Sequence, residues 1–193
     1  MSSLNSENCS NSVSPLINFY YGRGRTIPSC IYREGYTLDE ILTWSLDKLE
    51  HEHDYIQWLF PLTERSAFNP KAPILTDQQI NLFMNDEKLI ENLSKSFKLM
   101  MGFYGFCCDD SQDLICIKKS VDHDEKVSKW LRKNNHNYLR ITRILKSLKI
   151  LGLSNYSEAF LGALNDLYLN HSETISDRTY RFWVEAVNDG SKA

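Results

Sequence analysis

The chain has 193 residues, 42% of them hydrophobic and 24% charged, with a formal net charge of −3. Length and composition fit one ordinary globular domain and exclude an intrinsically disordered chain. The longest apolar run, LMMGFYGFCC, has ten residues, against the roughly 20 a membrane-crossing helix needs, so no span is expected.

Residues 1–17 hold six Ser and three Asn without a basic start or a continuous apolar segment. They read as a flexible tail rather than a secretory leader, leaving residues 18–190 as the folded domain. Gly22, Gly24 and Pro28 then punctuate a loop. TLDE at 37–40 is a capping box in which Thr37 and Glu40 satisfy each other's backbone donors. Leu38, Ile41, Leu42, Leu46 and Leu49 follow at helical spacing. HDYIQWLFP predicts a short helix that Pro61 stops; Asp54 is expected at its start. Three prolines between 61 and 73 make the next stretch irregular. TDQQ at 76–79 repeats the capping box and opens a helix through Met84. From Asp86, the pattern Leu89, Ile90, Leu93, Phe97, Met100, Met101, Tyr104 predicts a central core helix. CDDSQD reads as a turn, LICI as a brief strand, and Asp124 as the start of another helix. Two further amphipathic segments, SNYSEAFLGALNDLYLNH and DRTYRFWVEAV, complete an all-α, single-domain bundle of about seven helices, with room for one very short hairpin.

Charge is sorted along this chain. Residues 126–149 carry eight Lys or Arg and no acid, whereas residues 1–125 have a net charge of −8 and residues 150–193 of −3. On a helix over 135–151, Ile144, Leu148, Ile141 and Leu145 fall between about 40° and 140° of Arg140, and Arg143, Lys146 and Lys149 between about 180° and 300°. Gly152 ends the helix in a left-handed cap. Lys133, Arg140, Arg143 and Lys146, with His136 and Asn137 at the helix entrance, form a candidate anion-docking face. Solvated side chains, or Arg140 and Arg143 held in internal ion pairs, are the structural alternative. Gln57, set between apolar neighbours, needs hydrogen-bond partners if buried. Trp58 and Tyr55 are either packing anchors or the walls of a peptide groove.

Other patterns carry less. His51 and His53 lie about 200° apart on a helix and cannot grip one metal ion. Cys9, Cys30, Cys107, Cys108 and Cys116 form an odd set without zinc-site or disulfide-framework spacing; the three later ones read as small core hydrophobes in a reducing compartment. DDSQDLICIKKS has Leu114 and Ser120 where a calcium loop needs Gly and Glu. GRGR at 22–25 lacks the strand and helix of a phosphate loop. No catalytic motif is found, and neither a metal nor a cofactor is expected.

Three blocks, LEHEHDYIQWLFPL (49–62), KLMMGFYGF (98–106) and HNYLRITRILKSLKILGL (136–153), together resemble the conserved domain of the opioid growth factor receptor family, in order and spacing. The resemblance implies a soluble helical domain associated, in animal members, with binding an enkephalin-type peptide and restraining cell growth from a nuclear or perinuclear position. It implies no catalytic residue. The Asn-, Lys-, Ile- and Ser-rich wording and the short length suggest a stand-alone microbial member, intracellular and cytoplasmic. The resulting expectation is a non-enzymatic module that recognises an acidic, peptide or phosphate-bearing partner, nucleic acid included, through the cationic helix face. The alternative is an enzyme with a polar site between the 51–60 and 135–151 helices.

Overall fold

The computed structural model describes residues 14–30, 32–111 and 114–188, and within them the chain forms ten helices and one two-stranded sheet. The molecule is therefore mainly helical rather than purely all-α, with more helices than the seven expected. The extra ones are short. Pro15, whose fixed φ suits the first helical position, opens α1 (Pro15–Tyr20). Leu16 and Ile17, assigned from sequence to the tail, are buried there; the rest of the expected tail, residues 1–13, lies outside the described residues. The apolar run after Thr37 divides into α2 (Leu38–Leu42) and α3 (Leu46–His51), because the Ser45 hydroxyl accepts from the Lys48 N–H and starts a second helix. Next, α4 (Ile56–Leu59) is a single turn. Asp54 does not cap it. Its carboxylate accepts instead from the N–H and hydroxyl of Ser29, at 2.8 and 2.7 Å.

Both capping boxes form, Thr37 with Glu40 and Thr76 with Gln79, and the latter starts α5 (Asp77–Asn85). Asp86 caps the central helix α6 (Glu87–Tyr104), which buries Leu89, Leu93, Phe97, Met100, Met101 and Tyr104. Gly105 ends it at φ 87°. A Cβ there would also come within 3.0 Å of the His123 carbonyl, so both backbone conformation and space favour glycine. The chain then makes an antiparallel hairpin, β1 (Phe106–Asp109) with β2 (Cys116–Lys119), so the strand read at LICI begins two residues later. Cys107 is exposed, and Cys108 and Cys116 are half-buried on this hairpin rather than in the core.

The last four helices are α7 (His123–Trp130), α8 (Asn137–Ile150), α9 (Ser154–Asn170) and α10 (Asp177–Asn188). Helix α8 packs against α9 and α10 and buries Ile141, Ile144, Leu145 and Leu148, the stripe predicted from their angles. It ends as expected. Gly152 takes φ 92°, and Leu153 N–H returns to the Leu148 carbonyl at 2.8 Å, the six-to-one bond of a Schellman cap. Trp58, Trp130 and Trp183 are fully buried, and Trp183 Nε1 donates to the Tyr138 carbonyl at 3.1 Å, tying α10 to α8. Among the described residues no helix is long and apolar enough to cross a membrane.

Candidate functional site

Opposite its buried stripe, α8 presents a second face at the same three- and four-residue spacing: His136, Leu139, Arg140, Arg143 and Lys146. This face forms one wall of a groove of about 740 Å³. The floor comes from His53, Ile56 and Gln57 around α4, and the opposite wall from the loop Leu62–Phe68. That loop is held in shape. The Ser66 hydroxyl accepts from the N–H groups of Phe68 and Asn69, and Leu75 N–H donates to the Leu62 carbonyl. Phe68 and Leu139 are exposed apolar residues at the rim, a combination suited to a ligand that is part apolar and part charged.

The polar residues of α8 do two different jobs. Arg140 is only 5% exposed, and its guanidinium donates to the carbonyls of Leu49, Glu50 and Glu52 at 2.9, 3.3 and 2.7 Å. These oxygens lie at and just beyond the C-terminal turn of α3, where helical carbonyls lack intrahelical donors. Arg140 is thus a C-terminal cap delivered from another helix, reinforced by charge. Asn137, fully buried, holds it: Oδ1 accepts from Arg140 at 3.2 Å while Nδ2 donates to Glu50 at 3.0 Å. Two turns beyond Arg140, Ser147 donates to the Pro61 carbonyl at 2.9 Å. A polar stripe on α8 therefore fastens the 49–61 segment by its carbonyl oxygens.

Arg143 is different. It is half-buried on the groove wall, and its Nη1 donates to the Phe60 carbonyl at 3.1 Å. Burial pushes its pKa below the usual guanidinium value, and only the charge of Glu64 opposes that shift. A guanidinium has five donors, so this one keeps capacity for a bidentate acceptor. Lys146 Nζ lies 3.3 Å from Glu64, and Arg65, exposed on the facing loop, adds a third cation. At the other end His53 and His136 meet edge to face, ring centres 5.3 Å apart. Burial, and then the nearby Arg140 charge, lowers the His136 pKa, with Glu50 acting against them.

The structure thus brings Gln57, His136, Arg140, Arg143 and Lys146 to one groove, with Asn137 behind it. Gln57 is itself engaged: its side-chain nitrogen reaches the carbonyls of His53 and Asp54, both at 3.1 Å, in the amide orientation that satisfies both ends. Trp58 and Lys133 lie elsewhere. Trp58 is packed in the core, 5.5 Å from the Phe19 ring centre, and Lys133 is exposed in the turn before α8. Much of the cationic run is neutralised locally, Lys126 by Asp122, Lys129 by Glu125 and Lys149 by Glu158. Among the described residues no cluster of three or more His, Cys, Asp or Glu is placed to hold a metal ion. The reading from sequence missed Leu139, Phe68 and the loop wall. Leu139 had a signal: at about 260° from Arg140 it sits between Lys146 and Arg143 on an otherwise cationic face. The loop had none, since its position depends on contacts distant in sequence.

A family model described as the opioid growth factor receptor (OGFr) conserved region matches residues 9–192. The chain belongs to this family. Its OGFr region is 35% identical over 148 residues to the opioid growth factor receptor of Homo sapiens, covering 76% of this chain and 21% of that protein. It is 39% identical over 126 residues to opioid growth factor receptor-like protein 1 of Xenopus tropicalis, covering 64% and 24%. With opioid growth factor receptor-like protein 1 of Rattus norvegicus it shares 34% identity over 161 residues, covering 81% and 34%. The matches span about a fifth to a third of these relatives' lengths. No solved structure matches the chain significantly. Two of the three blocks that carry the resemblance, 49–62 and 136–153, supply the floor and one wall of the groove.

Proposed function

We propose that this OGFr domain is a binding module whose groove receives a peptide segment bearing acidic groups beside apolar ones. Arg143 and Lys146 take the acidic groups, and Ile56, Leu62, Leu139 and Phe68 take the apolar ones. One observation carries the reading: Arg143 is a desolvated guanidinium facing an open groove with one neutral carbonyl as its hydrogen-bond partner. Placing a charge out of water without a fixed counter-ion costs free energy, and an acidic ligand recovers it. The relatives' names describe receptors, which agrees with a binding role. A phosphate-bearing partner presents related chemistry, but a groove with exposed apolar side chains at its rim, Phe68 and Leu139, favours a peptide over a bare polyanion.

The test uses a fluorescein-labelled peptide of alternating glutamate and leucine, followed by fluorescence polarisation. Saturable binding that weakens from low to physiological salt is expected. Arg143→Ala should weaken it about tenfold or more, since a charge-assisted hydrogen bond is worth about 1.5–3 kcal/mol. Equal binding by the variant, or none by the wild type, contradicts the proposal. Preference for a phosphopeptide of the same length would replace the acidic peptide as occupant.

A further inference from the structure

Among the described residues that line the groove, Glu64 alone carries a carboxylate. Its side chain is 62% exposed, extends from the loop wall and meets Lys146 Nζ across the groove at 3.3 Å. Its charge is also felt by Arg143 one turn away on α8. Glu64 is therefore the chain's own carboxylate beside the two groove cations of α8, paired with Lys146 and close enough for its charge to act on Arg143 without a direct bond. A carboxylate that occupies the subsite shows what the subsite fits.

Resting on the proposed binding role, we infer that Glu64 is a resident occupant of the anion subsite, which an incoming acidic side chain must displace. The ligand class follows from the same geometry. A side-chain carboxylate matches the lone acceptor that now spans the loop and the helix, and exposed apolar surface lies along the same groove at Phe68 and Leu139. Glu64 thus sets both affinity and selectivity. It weakens binding of acidic segments by competition, and by its negative charge it disfavours ligands that bring acid without apolar contacts to compensate. The Lys146–Glu64 pair is exposed enough to exchange: side-chain exposures of 39% and 62% place it among surface ion pairs, whose worth is small and readily replaced.

The experiment compares wild type, Glu64→Gln, Lys146→Met and the double variant on the labelled glutamate–leucine peptide and on its glutamine–leucine analogue. Glu64→Gln should bind the acidic peptide about twofold to fivefold more tightly, the range expected from releasing a surface pair, and the neutral analogue unchanged. In the Lys146→Met background the gain should shrink towards none, because the competition acts through that ammonium. Glu158→Gln, which frees Lys149 outside the groove, is the control for net charge and should leave binding unchanged. Equal gains from Glu64→Gln and Glu158→Gln would reduce the effect to bulk electrostatics and overturn the inference while leaving the binding role standing. Wild-type binding with no gain from Glu64→Gln would do the same. Absence of binding by every form would remove both.

Discussion

Replacing Arg140 by alanine tests the division of labour along α8. The change removes the donors serving the carbonyls of Glu50 and Glu52 and the Asn137 amide oxygen, and one of the two donors serving the Leu49 carbonyl, which keeps the Tyr55 hydroxyl. Each stranded acceptor costs about 1–3 kcal/mol. Water entering from the groove reaches part of the site and recovers some of this, which brings the expected loss to about 3–5 kcal/mol, the range for breaking a buried charged network. For a domain of this size about 2–4 °C of Tm accompanies each kcal/mol, so the melt should fall by about 6–20 °C. Arg143→Ala loses one bond at a half-buried site and should cost about 1 kcal/mol. Arg140→Lys should fall between, because a lysine keeps the charge but lacks the fork that spans several carbonyls. Thermal melts of the three variants, followed by far-ultraviolet circular dichroism, give the comparison. Equal losses for Arg140→Ala and Arg143→Ala would refute the capping role.

Ser147→Ala leaves the Pro61 carbonyl without its donor in the buried interior; urea unfolding should show a loss of about 1–2 kcal/mol. Gly35→Ala should be severe, because a Cβ there would lie 1.6 Å from the Thr26 carbonyl oxygen, breaking the Thr26–Tyr36 pairing at about 2–3 kcal/mol. His136 supplies a pH dependence. Its folded pKa lies below the ordinary value of about 6.5, so as pH falls through that window the unfolded chain binds a proton first and stability declines. His136→Asn should flatten the decline between about pH 7 and pH 5 in denaturation curves, while an unchanged slope would mean that other groups account for it.

The sequence made the local parts legible and the assembly only partly so. Thr37, Thr76 and Gly152 announce helix ends through chemistry confined to a few residues, and each acts as read. The α8 stripes were equally visible, since a 100° step determines which residues share a face. What periodicity could not supply is the partner across that face. Arg140 and Arg143 lie on the same face of α8, yet one meets three carbonyls from the end of α3 and the other meets one. Those oxygens are 83 to 91 residues away in the chain, and backbone carbonyls leave no mark in the sequence. The helix count failed for a related reason: Ser45 looks like any exposed serine until its hydroxyl is seen to start α3. Asp54 had a local role to play at α4 and was drawn off by Ser29.

The proposed function puts partner binding in the groove between α4, the Leu62–Phe68 loop and the polar face of α8. The most direct measurement is a titration of the isotopically labelled domain with the glutamate–leucine peptide, read by amide chemical shifts. Shifts should concentrate on Ile56, Gln57, Ser66, Phe68, Leu139 and Arg143, and leave the Tyr168–Tyr180 face of α9 and α10 unmoved. Shifts gathered on that distant face, or none at saturating peptide, would contradict the account.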